Sequence, residues 1–253
     1  MTFVQSELGP VSAMRPDQLV SLGTAVASVV CGTCASRDVG LCDALPGADL
    51  HQLADAAHWL SIPKGGLLMT EGQPSRHFFS VNHGYAKLYK DLSDGRRQVI
   101  GFVTAGQFIG LGAQACYSFT AEALDEVHVC RFEQRRFDDL LMRFPALEQK
   151  MLAAACHDLA VAQAQMLLLG RKTALERLAS FLLEWDDRSM VEGAAVAMLP
   201  MGRRDIADYL GLTIETVSRC LTVLRKRRLI KIVADYDVVI IDHAALRTIG
   251  AGE

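Results

Sequence analysis

Between about residues 51 and 140, apolar and polar positions alternate in short runs, His77–Val81, Tyr85–Lys90, Gln98–Val103 and Ala121–Phe132, set apart by turn-forming residues. Alternation of period two turns one face of a strand toward a core, so these runs predict short strands. Ser93-Asp94-Gly95, between the second and third, predicts a hairpin. Strands at such spacing argue a small β-roll or sandwich. From about residue 144 the period becomes helical, with Pro145 suited to a first turn, and a long helix to about residue 170 is expected. A second helix carries Leu175, Leu178, Leu182 and Trp185, and the stretch Asp186–Ala197 reads as a loop. Residues 1–50 read as a loop-like leader.

The C-terminal pattern is the most specific. Met201–Leu210 predicts a short helix with Ile206, Ala207 and Leu210 inward. Gly211 breaks it, and Thr213 is a good N-cap for the next helix. There Ile214, Val217, Leu221 and Leu224 recur every three or four residues as a stripe expected to be buried. Glu215, Ser218, Arg219 and Thr222 lie on another face and are residue types suited to base edges in a major groove. Arg225, Lys226, Arg227 and Arg228 close the helix, where cations suit both the dipole and phosphates. Leu229–Val233 and Val238–Ile241, joined at Asp235-Tyr236-Asp237, predict a β-wing.

Charge sharpens this reading. The 253-residue chain carries a formal net charge of −3, so it is no polycation as a whole. Arg203–Lys231 nevertheless holds eight Lys/Arg against three acids, a local +5 that leaves −8 elsewhere. Such segregation localises a nucleic-acid surface, and with the turn glycine and the wing it predicts helix–turn–helix binding of double-stranded DNA. The bland alternative is an amphipathic helical pair with a solvated face. No nucleophile–base set or phosphate-cradling loop suggests an enzyme.

Seven cysteines in odd number do not suggest a disulfide framework. Three of them crowd the leader as Cys31-x2-Cys34-x7-Cys42, presenting thiolates from one loop as iron–sulfur ligation requires. The Cys-x2-Cys pair alone would suit structural zinc, and ordinary buried thiols are a third reading. Leu19–Val30 before Cys31 has a faint signal-peptide character, but its flanks argue against one, and a cytoplasmic protein is expected. No run of eighteen apolar residues predicts a membrane span.

Gly211-Leu212-Thr213-Ile214-Glu215-Thr216-Val217-Ser218-Arg219 resembles the start of the recognition helix in the CRP/FNR family of transcription regulators, whose FNR branch carries Glu, two residues, then Ser-Arg. The resemblance extends through Leu167-Leu168-Leu169, Glu176-Arg177-Leu178-Ala179, Gly101-Phe102 and Gly106-Gln107-Phe108-Ile109-Gly110, covering most of residues 31–242. It implies an α+β chain: a cysteine-bearing leader (1–50), a cyclic-nucleotide-binding-like β-roll (51–143), a dimerisation helix (144–170) and a winged helix–turn–helix domain (171–253). It implies that Glu215, Ser218 and Arg219 read a palindromic TTGAT-type site, Arg219 taking the guanine, with Thr213, Arg225, Arg227 and Arg228 on the DNA backbone. It also implies a homodimer, an activator's contact with RNA polymerase and no membrane partner.

Met151, Ala155, Leu159, Ala162, Met166 and Leu169 step along the long helix at coiled-coil spacing and are the expected dimer seam. The competing reading packs this stripe on the protein's own β-roll. Among the family's ligands a cyclic nucleotide is not expected, because Cys116-Tyr117-Ser118-Phe119-Thr120 offers no arginine for a phosphate. Haem lacks a distinguished axial ligand. The resemblance implies a [4Fe-4S] cluster on Cys31, Cys34, Cys42 and, late in the β-roll, Cys130, with Cys116 the rival fourth ligand. Val127 and Val129 share one strand face, so Cys130 points to the other. The implied switch is oxygen: the intact cluster holds the leader and favours the DNA-binding dimer, and oxygen degrades it. The gap between Cys34 and Cys42 is longer than in the best-known members, which loop closure tolerates. A regulator of the same fold that senses redox state through thiols is the alternative. Cys156 and Cys220 are expected to be small helix residues of the core or interface.

Overall fold

The alternating runs form antiparallel strands in the computed structural model, which describes Cys34 and residues 36–110, 115–191, 199–233 and 237–252. Cys31, the signal-like stretch before it and the turn at the tip of the wing lie outside the described residues. The chain divides into two compact units. One comprises the described residues up to Ala86 with Val103–Leu152, and the other Lys87–Phe102 with the described residues from Ala153 onward.

In the first unit α1 (Leu50–Ala56) leads into β1 (Ala57–Ile62), β2 (Leu67–Met69) and β3 (His77–His83); between β3 and β6 the chain runs through β4 (Ala86–Asp91) and β5 (Arg97–Val103), which belong largely to the second unit. β6 (Phe108–Ile109), β7 (Thr120–Ala123) and β8 (Val127–Glu133) complete the first unit's strands. One sheet has the order β1-β8-β3-β6, and β2 pairs with β7. Val127 and Val129 are fully buried inside, as the alternation predicts. The expected single run Ala121–Phe132 is two strands, because Asp125 turns the chain and accepts a hydrogen bond from the Tyr85 amide at 2.7 Å.

The opposite face of that sheet is covered as well. Leu41 and Leu45 of the leader, Leu50 and Leu53 of α1, Phe78, Phe132, and Phe137 and Leu140 of α2 (Gln134–Arg143) form one apolar cluster with Leu147. One expectation changes here. The leader contains a 3-10 turn, Leu41–Ala44, and contributes core leucines. α2 is polar along most of its length, and its charged residues face water while Phe137 and Leu140 are buried. α1, β1 and β2 carry no clean periodicity and are not predicted.

α3 (Pro145–Arg171) is the expected long helix. Ala155, Leu159, Ala162 and Met166 of its stripe are exposed, Met151 and Leu169 partly buried. Although the sequence has no uninterrupted apolar run, α3 is long and apolar enough to cross a membrane by length and composition, with 6% of that window buried.

In the second unit β4 and β5 form the predicted hairpin. Phe102 at its end lies 5.2 Å from the Tyr209 ring, 5.9 Å from Trp185 and 6.4 Å from Phe181. Lys87 Nζ pairs with Asp205 at 2.9 Å, and Gln98 Nε2 donates to the Tyr209 carbonyl at 3.3 Å. The hairpin is therefore built into the helical module, a placement set by contacts about a hundred residues apart in sequence. α4 spans Ala174–Val191, so the expected loop begins later than Asp186. Arg188 extends the helix beyond its apolar stripe by pairing with Glu184 at 2.7 Å and lying over Trp185. α5 (Arg203–Leu210), α6 (Ile214–Lys226), β9 (Ile230–Ile232), β10 (Val238–Ile240) and α7 (His243–Ala251) follow.

Candidate functional site

Local chemistry sets the α5–α6 turn. Asp205 accepts from the Gly202 amide at the start of α5, and Ile206, Ala207 and Leu210 are buried as predicted. Gly211 adopts φ 62°, ψ 41°, a left-handed conformation that costs a residue with a side chain about 1–2 kcal/mol. The Leu212 amide closes back onto the Ala207 carbonyl at 2.9 Å. Thr213 caps α6 by accepting from the Thr216 amide at 3.2 Å.

Val217, Leu221 and Leu224 are buried beneath α6, whereas Ile214 is 37% exposed, so the expected buried stripe begins one turn later. Ile214 occupies the first helical position, where the preceding turn has not yet brought the chain over the core. Glu215 and Arg219 are exposed, and Ser218 and Thr222 partly so. Arg219 Nη2 donates to Thr216 Oγ1 at 3.1 Å, which steers the guanidinium along the helix face before any DNA arrives. Hydrogen bonding at its own backbone amide, then the Thr213 hydroxyl, then the Arg219 charge hold the Glu215 carboxyl below its ordinary range. Glu215 is accordingly an acceptor at neutral pH, the state required to receive a cytosine amino group. Thr213 is exposed at the N-terminus, and Arg225, Lys226, Arg227 and Arg228 are exposed at the C-terminus. Thr216 is the residue sequence reasoning missed, although its spacing of three from both Thr213 and Arg219 could have found it.

A second candidate site lies on the covered face of the first sheet. Cys130 of β8 stands across from Trp59 in β1 and Ser80 in β3. The leader docks on this sheet through Ser36, which is 1% exposed and shares its one hydroxyl proton between the carbonyls of Val81 and Asn82, each 3.1 Å away. Gly106, at φ 89°, lets the leader pass, since a Cβ there would meet Val39 at 2.9 Å. Cys42 and Cys130 are both half-buried against the same apolar cluster, which Met151 at the start of α3 also touches. Beside Cys42, Asp43 pairs with Lys150 of α3 at 2.9 Å.

Cys34 is also half-buried in the leader, while Cys116 is exposed in a bridge opposite Pro74 and does not join that cluster. Cys156 is exposed on α3, and Cys220 is half-buried on α6, where burial raises its thiol pKa. The donor set fits an iron–sulfur group in kind, with thiols on one loop and another on the face where that loop docks. Among the described residues no three cysteine, histidine or carboxylate groups converge on one metal position. Ser36 and Lys150 carry no local sequence signal for these contacts.

The chain matches the Crp-like helix-turn-helix domain over residues 176–249 and the cyclic nucleotide-binding domain over residues 59–144. It is 42% identical to the transcriptional activatory protein AadR of Rhodopseudomonas palustris across 80% of this chain and 85% of that protein. It is 36% identical to the nitrogen fixation regulation protein FixK of Bradyrhizobium diazoefficiens across 87% and 94% of the two chains. The solved structure of FixK2 from Bradyrhizobium japonicum superposes with a TM-score of 0.72 at 36% identity, covering 76% of this chain and 96% of that one. These relatives are regulators and not enzymes. Similarity of this extent, over both the strands and the DNA-reading module, makes the chain a member of the CRP/FNR family of transcription regulators.

Proposed function

We propose that this regulator is an oxygen-responsive activator of the FNR type, which binds a palindromic TTGAT-type site as a homodimer while a [4Fe-4S] cluster is held by Cys31, Cys34, Cys42 and Cys130. The observation that carries this reading is the docking of the cysteine-bearing leader, through buried Ser36, on the sheet that presents Cys130. Bound there, the cluster would supply an oxygen-labile crosslink between leader and β8. The protein's own residues supply the rest. Cys42, Cys130 and Met151 rest on one apolar cluster, and Lys150 grips Asp43, so freeing the leader disturbs the first turns of α3. A local chemical event thereby biases the seam of Met151, Ala155, Leu159, Ala162, Met166 and Leu169.

The exposed apolar length of α3 supports a second copy as its cover, two apolar helices burying each other at alanine-lined approach. Glu215, Ser218 and Arg219 read bases, and Thr213, Arg225, Arg227 and Arg228 hold phosphates. The protein acts in the cytoplasm with RNA polymerase as partner and without a cyclic nucleotide. Anaerobic purification with iron and sulfide assays tests the reading: about four of each per protomer, with visible absorption bleached by air, are expected. A colourless protein that still binds the site when reduced would favour the thiol-only alternative, which the lack of a converged ligand group among the described residues supports.

A further inference from the structure

β3 breaks its ladder at one place. Val81 pairs with Val129 and His83 with His128, so Asn82 is the extra residue of a β-bulge opposite β8. A bulge takes one residue out of the ladder and re-aims its side chain. Asn82 is 8% exposed, and its Nδ2 donates to Cys130 Sγ at 3.0 Å. A buried amide needs such a partner to offset its desolvation. The carbonyl of the same residue accepts from Ser36 in the leader, so Asn82 meets both polypeptide segments proposed to share a cluster.

We infer that Asn82 is a positioning residue for the cluster, holding Cys130 as a thiolate ligand and protecting it by an N–H···S hydrogen bond. A metal-bound thiolate carries no proton and can only accept, so it selects the amide NH2 end and fixes the side chain's orientation. Hydrogen bonds to cluster sulfurs withdraw charge from them and tune potential and stability, and partners of this kind are as consequential as many ligands.

This inference rests on the cluster reading above, and the test separates the two. The full chain and its Asn82→Ala and Asn82→Asp variants are reconstituted anaerobically, then exposed to air-saturated buffer while visible absorption and iron–thiolate stretching bands are followed. Asn82→Ala should load iron and sulfide yet lose absorption about tenfold faster, with shifted stretching bands. Asn82→Asp keeps the shape but replaces the donor by a negative acceptor, and should decay faster still. Should Asn82→Ala fail to fold by circular dichroism, the isosteric Asp variant decides alone. Wild-type decay rates and unshifted bands in the folded variants would overturn the inference while leaving the cluster reading intact. A wild-type protein that takes up no iron and sulfide would overturn the cluster reading, and this inference with it.

Discussion

α6 and the cysteine face assemble their proposed functional groups in opposite ways. The groups of α6 proposed to read bases, Glu215, Ser218 and Arg219, fall within one short stretch of a single helix, and their spacing alone puts them on one face. The cysteine face draws on the leader, β1, β3, β8 and the start of α3, joined by pairings up to about a hundred residues apart. A helix displays its chemistry by spacing alone. A face built across strands displays it only through register, and register is settled by the whole sheet. The first kind of site tolerates substitution residue by residue, whereas the second fails as a unit.

Removing one thiol should therefore have the largest effect. Cys130→Ala, prepared anaerobically, is expected to lack the visible absorption of the cluster. Its affinity for the specific site should fall toward the non-specific level, about 10³-fold or more. Cys116→Ala should keep both properties, since Cys116 is exposed and off the shared apolar cluster. The reverse pattern would move the ligand to Cys116. Retention of the cluster in both variants would end the four-cysteine arrangement.

The next effect tests the link between the two regions. Leu159 is 58% exposed on α3, so Leu159→Glu should cost the isolated chain little. Across a two-fold seam it would set like charges together in an apolar contact. Sedimentation should then show a folded monomer where the wild type is a dimer, with loss of binding to the full palindrome. An unchanged dimer would show that another face of α3 makes the contact.

Those expectations also mark how far the sequence could be read. Helix–turn–helix, wing, hairpin and long helix were legible because each depends on local period, caps or a turn glycine. The orientation of Cys130 was legible too, as Val127 and Val129 define the inner face of β8. α2 is not legible, because Gln134, Arg135, Arg136, Asp138 and Asp139 outnumber its buried residues. Nothing local in the sequence announces that Phe102 carries the β4–β5 hairpin onto Tyr209. Ser36 and Asn82 were invisible for the same reason: a buried polar residue shows its role only with its partner.

Within α6 the effects become smaller and separable. Arg219→Ala should cost about 1–3 kcal/mol on the cognate site and relax preference at one base pair. Arg227→Ala should instead weaken all DNA alike, reducing the slope of log K against log salt by about 0.9. Fluorescence anisotropy on cognate and single-mismatch duplexes across a salt series distinguishes them. If both variants lose only non-specific affinity, α6 does not read bases through Arg219.

The smallest effect comes from the residue that ends α6. Arg228 has φ 59° and is the only non-glycine residue with positive φ among the described residues. It stands where a Schellman motif wants glycine: its amide bonds the Arg225 carbonyl at 3.0 Å, and the next amide, of Leu229, bonds that of Leu224 at 3.1 Å. Leu224 and Leu229 are both buried, as the apolar contact of that motif requires. An arginine there carries about 1–2 kcal/mol of backbone strain, part of which glycine would give back through its greater freedom in the unfolded chain. Arg228→Gly should therefore raise stability by about 0.5–1 kcal/mol, read as a higher urea midpoint at unchanged slope. If Arg228 holds a phosphate as proposed, the same change should lower the salt slope by about 0.9. Arg228→Ala keeps the strain and loses the charge, so it should share the altered slope without the gain in midpoint. Stability and DNA affinity then move in opposite directions at one residue, the mark of a strained position kept for its charge. Equal midpoints in all three proteins would show that the motif, not the residue at its turn, sets the stability of the helix end.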